Sequence, residues 1–181
     1  ALAESRIRQV YLVGRRGPVQ AKFTYQELKE LTELSAYVLE TPAEELILNP
    51  ASEAELAKGD GATRGRVRNY ETLQKFAIES LSIKPRRCTL RFLLSPIKLI
   101  GDQRLQQVMF ERNRLTGHVG QQAALGTGEY ETIDCGLLLS SIGYHGTPMT
   151  DVPFDSAQGI IPNQQGRVLD HDNPVPGLYA V

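Results

Sequence analysis

The clearest chemistry in this sequence is carried by two adjacent arginines framed by glycines, Gly14-Arg15-Arg16-Gly17-Pro18. They follow Val10-Tyr11-Leu12-Val13, an apolar run with β-branched and aromatic members. That is the pattern of a buried strand ending in a turn. After them, Phe23, Leu28, Leu31 and Leu34 give a helical stripe, and Thr24 with Glu27 has the spacing of a capping box. The unit therefore reads strand, short polar loop, helix, which is half of a βαβ unit. In open α/β sheets ligands bind beyond the carboxyl ends of the strands. At the end of the second strand of a dinucleotide fold, an acidic residue holds the 2′-hydroxyl of NAD, and a basic one suits the 2′-phosphate of NADP. Two planar guanidinium forks match a dianionic phosphate, and flanking glycines let the backbone come close. The alternative is a pair of solvated loop charges. No G-x-G-x-x-G precedes the run. If Arg15 and Arg16 belong to a second strand, that loop falls upstream of Ala1.

The elements that would position these residues alternate along the chain. Leu46-Ile47-Leu48-Asn49-Pro50 reads as a short strand or extended link, 53–57 as a helical patch and 58–63 as a surface loop. Residues 64–80 return to helical spacing, with Tyr70, Leu73, Ala77 and Leu81 on one face. Residues 87–94 are strand-like until Ser95-Pro96 breaks them, and Ile97–Ile100 follows. Leu105 to Leu115 alternates as a strand with one wet face, and 117–128 reads as loop. Ile133 to Tyr144 is the most apolar segment and is expected to be a central strand, with Cys135 a small core residue. Ser140 and Ser141 fall within it without a histidine or acid to activate them. Beyond it, Gly, Pro, Asp and Asn dominate; His145 reads as a surface or hinge residue, and short strand-like pieces occur at 159–161 and 167–169. The polar opening, residues 1–6, reads as the tail of a helix, and the apolar run 176–181 as a strand with its loop still to come. The chain is thus expected to be part of a longer protein.

Composition narrows the classes. The chain has 181 residues, 41% hydrophobic and 23% charged, which suits one ordinary domain or a piece of a larger one. A net charge of -1 argues against general nucleic-acid binding. Two distant cysteines form neither a CxxC pair nor a disulfide framework, so a reducing compartment is expected. The three histidines have no metal-ligand spacing, and no apolar run approaches the ~20 residues of a membrane span.

Residues 13–31, from Val13-Gly14-Arg15-Arg16-Gly17-Pro18 to Leu31, closely resemble the adrenodoxin reductase family, the ferredoxin–NADP reductases of the glutathione-reductase-like type. So do Cys135-Gly136-Leu137-Leu138-Leu139-Ser140-Ser141-Ile142-Gly143-Tyr144, then Val152-Pro153-Phe154-Asp155, Gly159-Ile160-Ile161-Pro162-Asn163, Gly166-Arg167-Val168 and Pro176-Gly177-Leu178-Tyr179, in the family's order. The resemblance implies an α/β fold: a Rossmann-like parallel sheet with an antiparallel β excursion (Leu90 to Leu115), incomplete at both ends. It implies that residues 1–145 are most of an NADP-binding domain and that 146–181 return into an FAD-binding domain. By the same resemblance Arg15 and Arg16 contact the NADP 2′-phosphate and Glu27 completes that pocket, by orienting an arginine or accepting from a ribose hydroxyl. Arg64 and Arg68, within Arg64-Gly65-Arg66-Val67-Arg68, would contact an acidic 2Fe–2S ferredoxin or adrenodoxin-like partner. Their alternative is a solvated helix start.

In the parent, the resemblance implies hydride transfer from NADPH to FAD and single electrons onward to the ferredoxin, in a bacterial cytoplasm or a mitochondrial matrix. The 181 residues alone would bind no FAD and transfer no hydride, because the glycine loop and most flavin contacts lie outside them. Two rivals stand beside this reading: another flavin-dependent pyridine-nucleotide oxidoreductase, of the glutamate synthase small-subunit type, and a non-catalytic interaction module.

Overall fold

The computed structural model describes residues 5–79, 84–143 and 145–180. The readings of residues 1–4 as a helix tail, of Leu81 as the last member of a helix face, and of Tyr144 and Val181 as strand residues lie outside the described residues. The chain divides into two compact units, Ala1–Leu137 and Leu138–Val181.

In the first unit three short strands form a parallel sheet. They are β1 (Gln9–Val13), β2 (Tyr37–Glu40) and β3 (Arg86–Arg91), in the order β1-β3-β2. Three helices connect them: α1 (Tyr25–Thr32), α2 (Pro50–Leu56) and α3 (Gly61–Glu79). Such crossovers are what parallel strands require. The strand β2 had no counterpart in the sequence reading, because its four residues, Tyr37-Val38-Leu39-Glu40, are too few to establish a period. The start signal read for α1 is built: Thr24 caps it in a complete capping box with Glu27. The helical patch read at 53–57 starts earlier, where Asn49 caps α2 ahead of Pro50. The link before α2 is a 3₁₀ turn, Ala43–Leu46, followed by extended residues.

Apolar stripes meet as their spacing requires. Leu28 from α1 and Leu73 and Phe76 from α3 pack with Leu39, Cys88, Leu90 and Phe92 in one core. Phe23, Leu31, Tyr70 and Ala77 lie at its margin. Leu34 is left out: α1 ends at Thr32, and Leu34 stands exposed beyond it.

The antiparallel excursion comprises β4 (Leu94–Ile100), β5 (Gln107–Thr116) and β6 (Ala123–Asp134), paired in chain order around Leu94, Val108 and Phe110. It starts four residues later than expected and runs nineteen residues further, from Leu94 to Asp134 instead of Leu90 to Leu115. The break between β3 and β4 falls at Phe92-Leu93, where Leu93 has φ 58°, and not at Ser95-Pro96. Pro96 is accommodated inside β4 beside a register shift. The segment expected to be loop, 117–128, is loop only to Gln122; from Ala123 it is β6.

The largest correction concerns residues 133–144. The strand ends at Asp134, and residues 135–143 have no strand partner among the described residues. Leu137, Leu139 and Ile142 are exposed, as are Ser140 and Ser141. An apolar run becomes a central strand only if neighbours offer backbone pairing on both sides; here the Cys135 N–H reaches the Gln106 carbonyl (2.8 Å), and beyond it no strand pairs with the segment among the described residues. Cys135 is correspondingly half-buried at the edge of the β4–β6 core; the buried cysteine is Cys88.

The second unit contains a small antiparallel sheet, β7 (Asn163–Gln164), β8 (Arg167–Asp170) and β9 (Asn173–Tyr179), with Val168 buried. An isolated bridge, Asp155 to Ile160, closes the turn ahead of it. His145 is exposed, and its ring lies against Gly159 so closely that a Cβ on that residue would clash with it.

Candidate functional site

The run Gly14–Pro18 leaves the carboxyl end of β1, as the strand–loop–helix reading requires. Its backbone is held by the corner between β3 and β4. Gly14 N–H donates to the Arg91 carbonyl (2.9 Å), and the Gly14 carbonyl accepts from Leu94 N–H (3.1 Å). The Arg16 carbonyl accepts from Leu93 N–H (3.1 Å). Between them, the Arg15 carbonyl accepts from the side-chain amide of Asn113 on β5 (2.9 Å). The carbonyls of Gly14, Arg15 and Arg16 are thereby all bonded. Gly17 is buried and tightly set: a Cβ there would stand 3.0 Å from Gln20 Oε1 and 3.1 Å from Leu115 Cδ1. At Gly14 a Cβ would meet only ordinary contacts.

The guanidinium groups are another matter. Arg15 is exposed and Arg16 half-buried, and no described residue forms an ion pair or hydrogen bond with either guanidinium. A rigid turn carrying two unpaired cations at the end of a parallel strand suits an anionic ligand.

Glu27 sits one turn into α1. Its Oε2 accepts from Thr24 N–H (2.6 Å) and from the Thr24 hydroxyl (3.0 Å), while its own N–H donates to Thr24 Oγ1 (3.2 Å). The Thr24 backbone N–H and then its hydroxyl hold the Glu27 carboxyl below the usual carboxylate range. No hydrogen bond joins Glu27 to Arg15 or Arg16 among the described residues. Its capping role is therefore built in the structure as it stands.

Arg64 and Arg68 lie four residues apart on α3, so they share a face, and both are exposed. Arg68 lies over the ring of Tyr25, 5.6 Å from its centre, which brings it to the first residue of α1. Arg66 belongs to a different set: it pairs with buried Glu55.

A second charged constellation was missed by the sequence reading. Buried Glu45 accepts from Arg91 Nε (2.7 Å) and from Phe92 N–H (2.6 Å). Glu131 accepts from Arg91 (2.6 Å) and from Arg112 (2.5 Å). The four residues come from the 3₁₀ turn, β3, β5 and β6, up to 86 positions apart, and no local pattern joins them. Among the described residues no group of three or more His, Cys, Asp or Glu could hold a metal ion, and no helix is long and apolar enough to cross a membrane.

No family model matches the chain. Individual proteins do, over nearly its whole length. The mitochondrial NADPH:adrenodoxin oxidoreductase of Arabidopsis thaliana is 36% identical over 198 residues, covering 99% of this chain and 39% of that protein. The human mitochondrial NADPH:adrenodoxin oxidoreductase is 39% identical, covering 99% of this chain and 37% of that protein. Among solved structures, Mycobacterium tuberculosis FprA in complex with NADPH superposes with a TM-score of 0.79 at 36% identity, over 96% of this chain and 36% of that one. The chain is a homologue of the adrenodoxin reductases. It spans a little under two-fifths of the length of the curated relatives it matches. The mixed architecture, a parallel sheet followed by an antiparallel excursion, lies within the part of the chain that superposes on FprA.

Proposed function

We propose that this chain carries the 2′-phosphate-reading half of the NADP site of a flavoprotein ferredoxin reductase. Residues 1–145 are read as part of the NADP-binding domain and 146–181 as chain entering the FAD-binding domain. One observation carries the reading: Arg15 and Arg16 project unpaired from a turn whose carbonyls are all bonded, at the carboxyl end of a parallel strand. An anion with two negative charges is the ligand this arrangement fits.

In this reading Arg15 and Arg16 bind and orient the adenosine end of NADP, and Glu27 borders the pocket from α1. When bound, the nicotinamide supplies a hydride and the flavin divides the electron pair into single electrons. Arg64 and Arg68, on one face of α3, steer an acidic iron–sulfur ferredoxin, an effect that raises association rate and falls with salt. By this reading the 181 residues alone transfer no hydride. The relatives' names, which specify NADPH, adrenodoxin and ferredoxin, support the class, and the mitochondrial label of one relative and the bacterial source of another fit a mitochondrial matrix or a bacterial cytoplasm.

The full-length protein tests this by steady-state reduction of a ferredoxin with NADPH or NADH. The expected result is a kcat/KM preference for NADPH of at least about tenfold, from two charge-assisted contacts of roughly 1.5–3 kcal/mol each. Arg64→Glu/Arg68→Glu is expected to raise the KM for ferredoxin at low salt and leave the KM for NADPH unchanged. Equal use of NADH would remove the assignment of Arg15 and Arg16.

A further inference from the structure

We infer that Asn113 is a positioning residue for nucleotide selection: it holds the Arg15-Arg16 turn in the geometry that reads the 2′-phosphate, without itself touching the ligand. This rests on the reading of Arg15 and Arg16 given above. Three observations carry it.

The first is that Asn113 is a buried polar residue on an element remote in sequence from the turn, 8% exposed and 98 positions from Arg15. Its side-chain amide donates to the Arg15 carbonyl (2.9 Å) and to Ser95 Oγ (2.8 Å), so both of its hydrogens are used. Its backbone N–H donates to the Leu93 carbonyl (2.7 Å). Asn113 thus ties the turn, β4 and the β3–β4 corner together.

The second is that the corner itself is strained. Leu93 has φ 58°, a conformation that bulky side chains rarely adopt. This puts the N–H groups of Leu93 and Leu94 onto the carbonyls of Arg16 and Gly14. Strain is tolerated where surrounding contacts over-determine it, and the Asn113 N–H on the Leu93 carbonyl is one such contact.

The third is that the strand register is broken to place this residue. Val108 and Phe110 face inward, and simple alternation would put Arg112 inward next. A register shift between Glu111 and Asn113 brings Asn113 inward in its place. Bulges of this kind re-aim a side chain. Here the antiparallel excursion, outside the parallel sheet, supplies the donor for the one turn carbonyl that the corner leaves open.

The consequence is selective. Loss of the amide frees the Arg15 peptide and blurs the placement of both guanidinium groups. Binding of nucleotide without a 2′-phosphate does not use them and should not change.

The test is calorimetric titration of the full-length protein with 2′,5′-ADP and with 5′-AMP, with circular dichroism to establish folding. Asn113→Ala is expected to reduce the ratio of the two affinities by about three- to tenfold, the range of one lost hydrogen bond, with 5′-AMP affinity unchanged. Tyr70→Phe is the control: it removes another side-chain bond to a backbone carbonyl, that of Leu46, and should leave the ratio as it was. Should Asn113→Ala unfold, Asn113→Leu keeps the volume and removes the donor without adding a charge, with the same ratio expected to fall. An unchanged ratio in the Asn113 variants, beside a ratio abolished in Arg15→Ala/Arg16→Ala, overturns the inference and leaves the arginine reading standing. An equal fall in Tyr70→Phe overturns it as well, as general loosening. A ratio that survives Arg15→Ala/Arg16→Ala means the arginine reading itself is wrong, and the inference falls with it.

Discussion

Glu27 shows how one carboxylate can secure the start of a helix. Its Oε2 takes both the N–H and the hydroxyl of Thr24, and the folded protein therefore holds this carboxyl below its unfolded value. The sign of the pH dependence follows. The contribution to stability is fully present above the ordinary carboxylate range and is lost as pH falls through the depressed folded value. Glu27→Gln is expected to flatten that part of the acid-unfolding profile, and the carboxyl resonance of Glu27 should titrate below those of exposed glutamates in a pH series by NMR. A Glu27 titration at the ordinary value would mean that the capping box is not formed in solution. Thr24→Ala should cost about 0.5–2 kcal/mol by loss of the cap.

At the scale of elements, the join between the parallel sheet and the antiparallel excursion rests on Glu45, Arg91, Glu131 and Arg112. Burial alone would lower the Arg91 basicity; hydrogen bonding and charge from Glu45, then Glu131, outweigh it and hold the guanidinium firmly protonated. Glu45 is 2% exposed and also accepts from Phe92 N–H, so its removal leaves Arg91 with Glu131 alone and a buried backbone donor without its acceptor. Glu45→Ala is expected to destabilise the protein by about 3–5 kcal/mol in urea titration. A loss under about 1 kcal/mol would show that water replaces the carboxylate at no great cost.

None of this network was legible in the sequence. Periodicity reveals which face of an element is apolar, and so β1, α1 and α3 could be read, as could the alternating β5. It does not reveal which charged residues meet after folding. The same limit hid Asn113, because a register shift changed the parity that alternation assumes. The Arg15-Arg16 turn was legible because strand, loop and helix are contiguous, and their chemistry is local. Residues 135–143 were misread for the opposite reason: apolar composition was taken as burial, yet burial depends on partners that the sequence of the segment does not specify.

For the whole molecule, that segment sets the expected behaviour. Leu139 and Ile142, in the second unit, are 80% and 91% exposed within a stretch of four residues, apolar surface that water does not favour. The chain as given is expected to self-associate at micromolar concentration in sedimentation velocity, and Leu139→Ser/Ile142→Ser to shift it toward monomer. An unaltered distribution would place the self-association elsewhere.

The assignment as an NADP-reading unit stands or falls on the two arginines. The most direct measurement is calorimetric titration of the full-length protein, unaltered and as Arg15→Ala/Arg16→Ala, with 2′,5′-ADP and with 5′-AMP. The unaltered protein should bind 2′,5′-ADP at least about tenfold more tightly, a difference of roughly 1.4 kcal/mol or more, and the double variant should bind both alike. Equal binding of the two nucleotides by the unaltered protein would contradict the account.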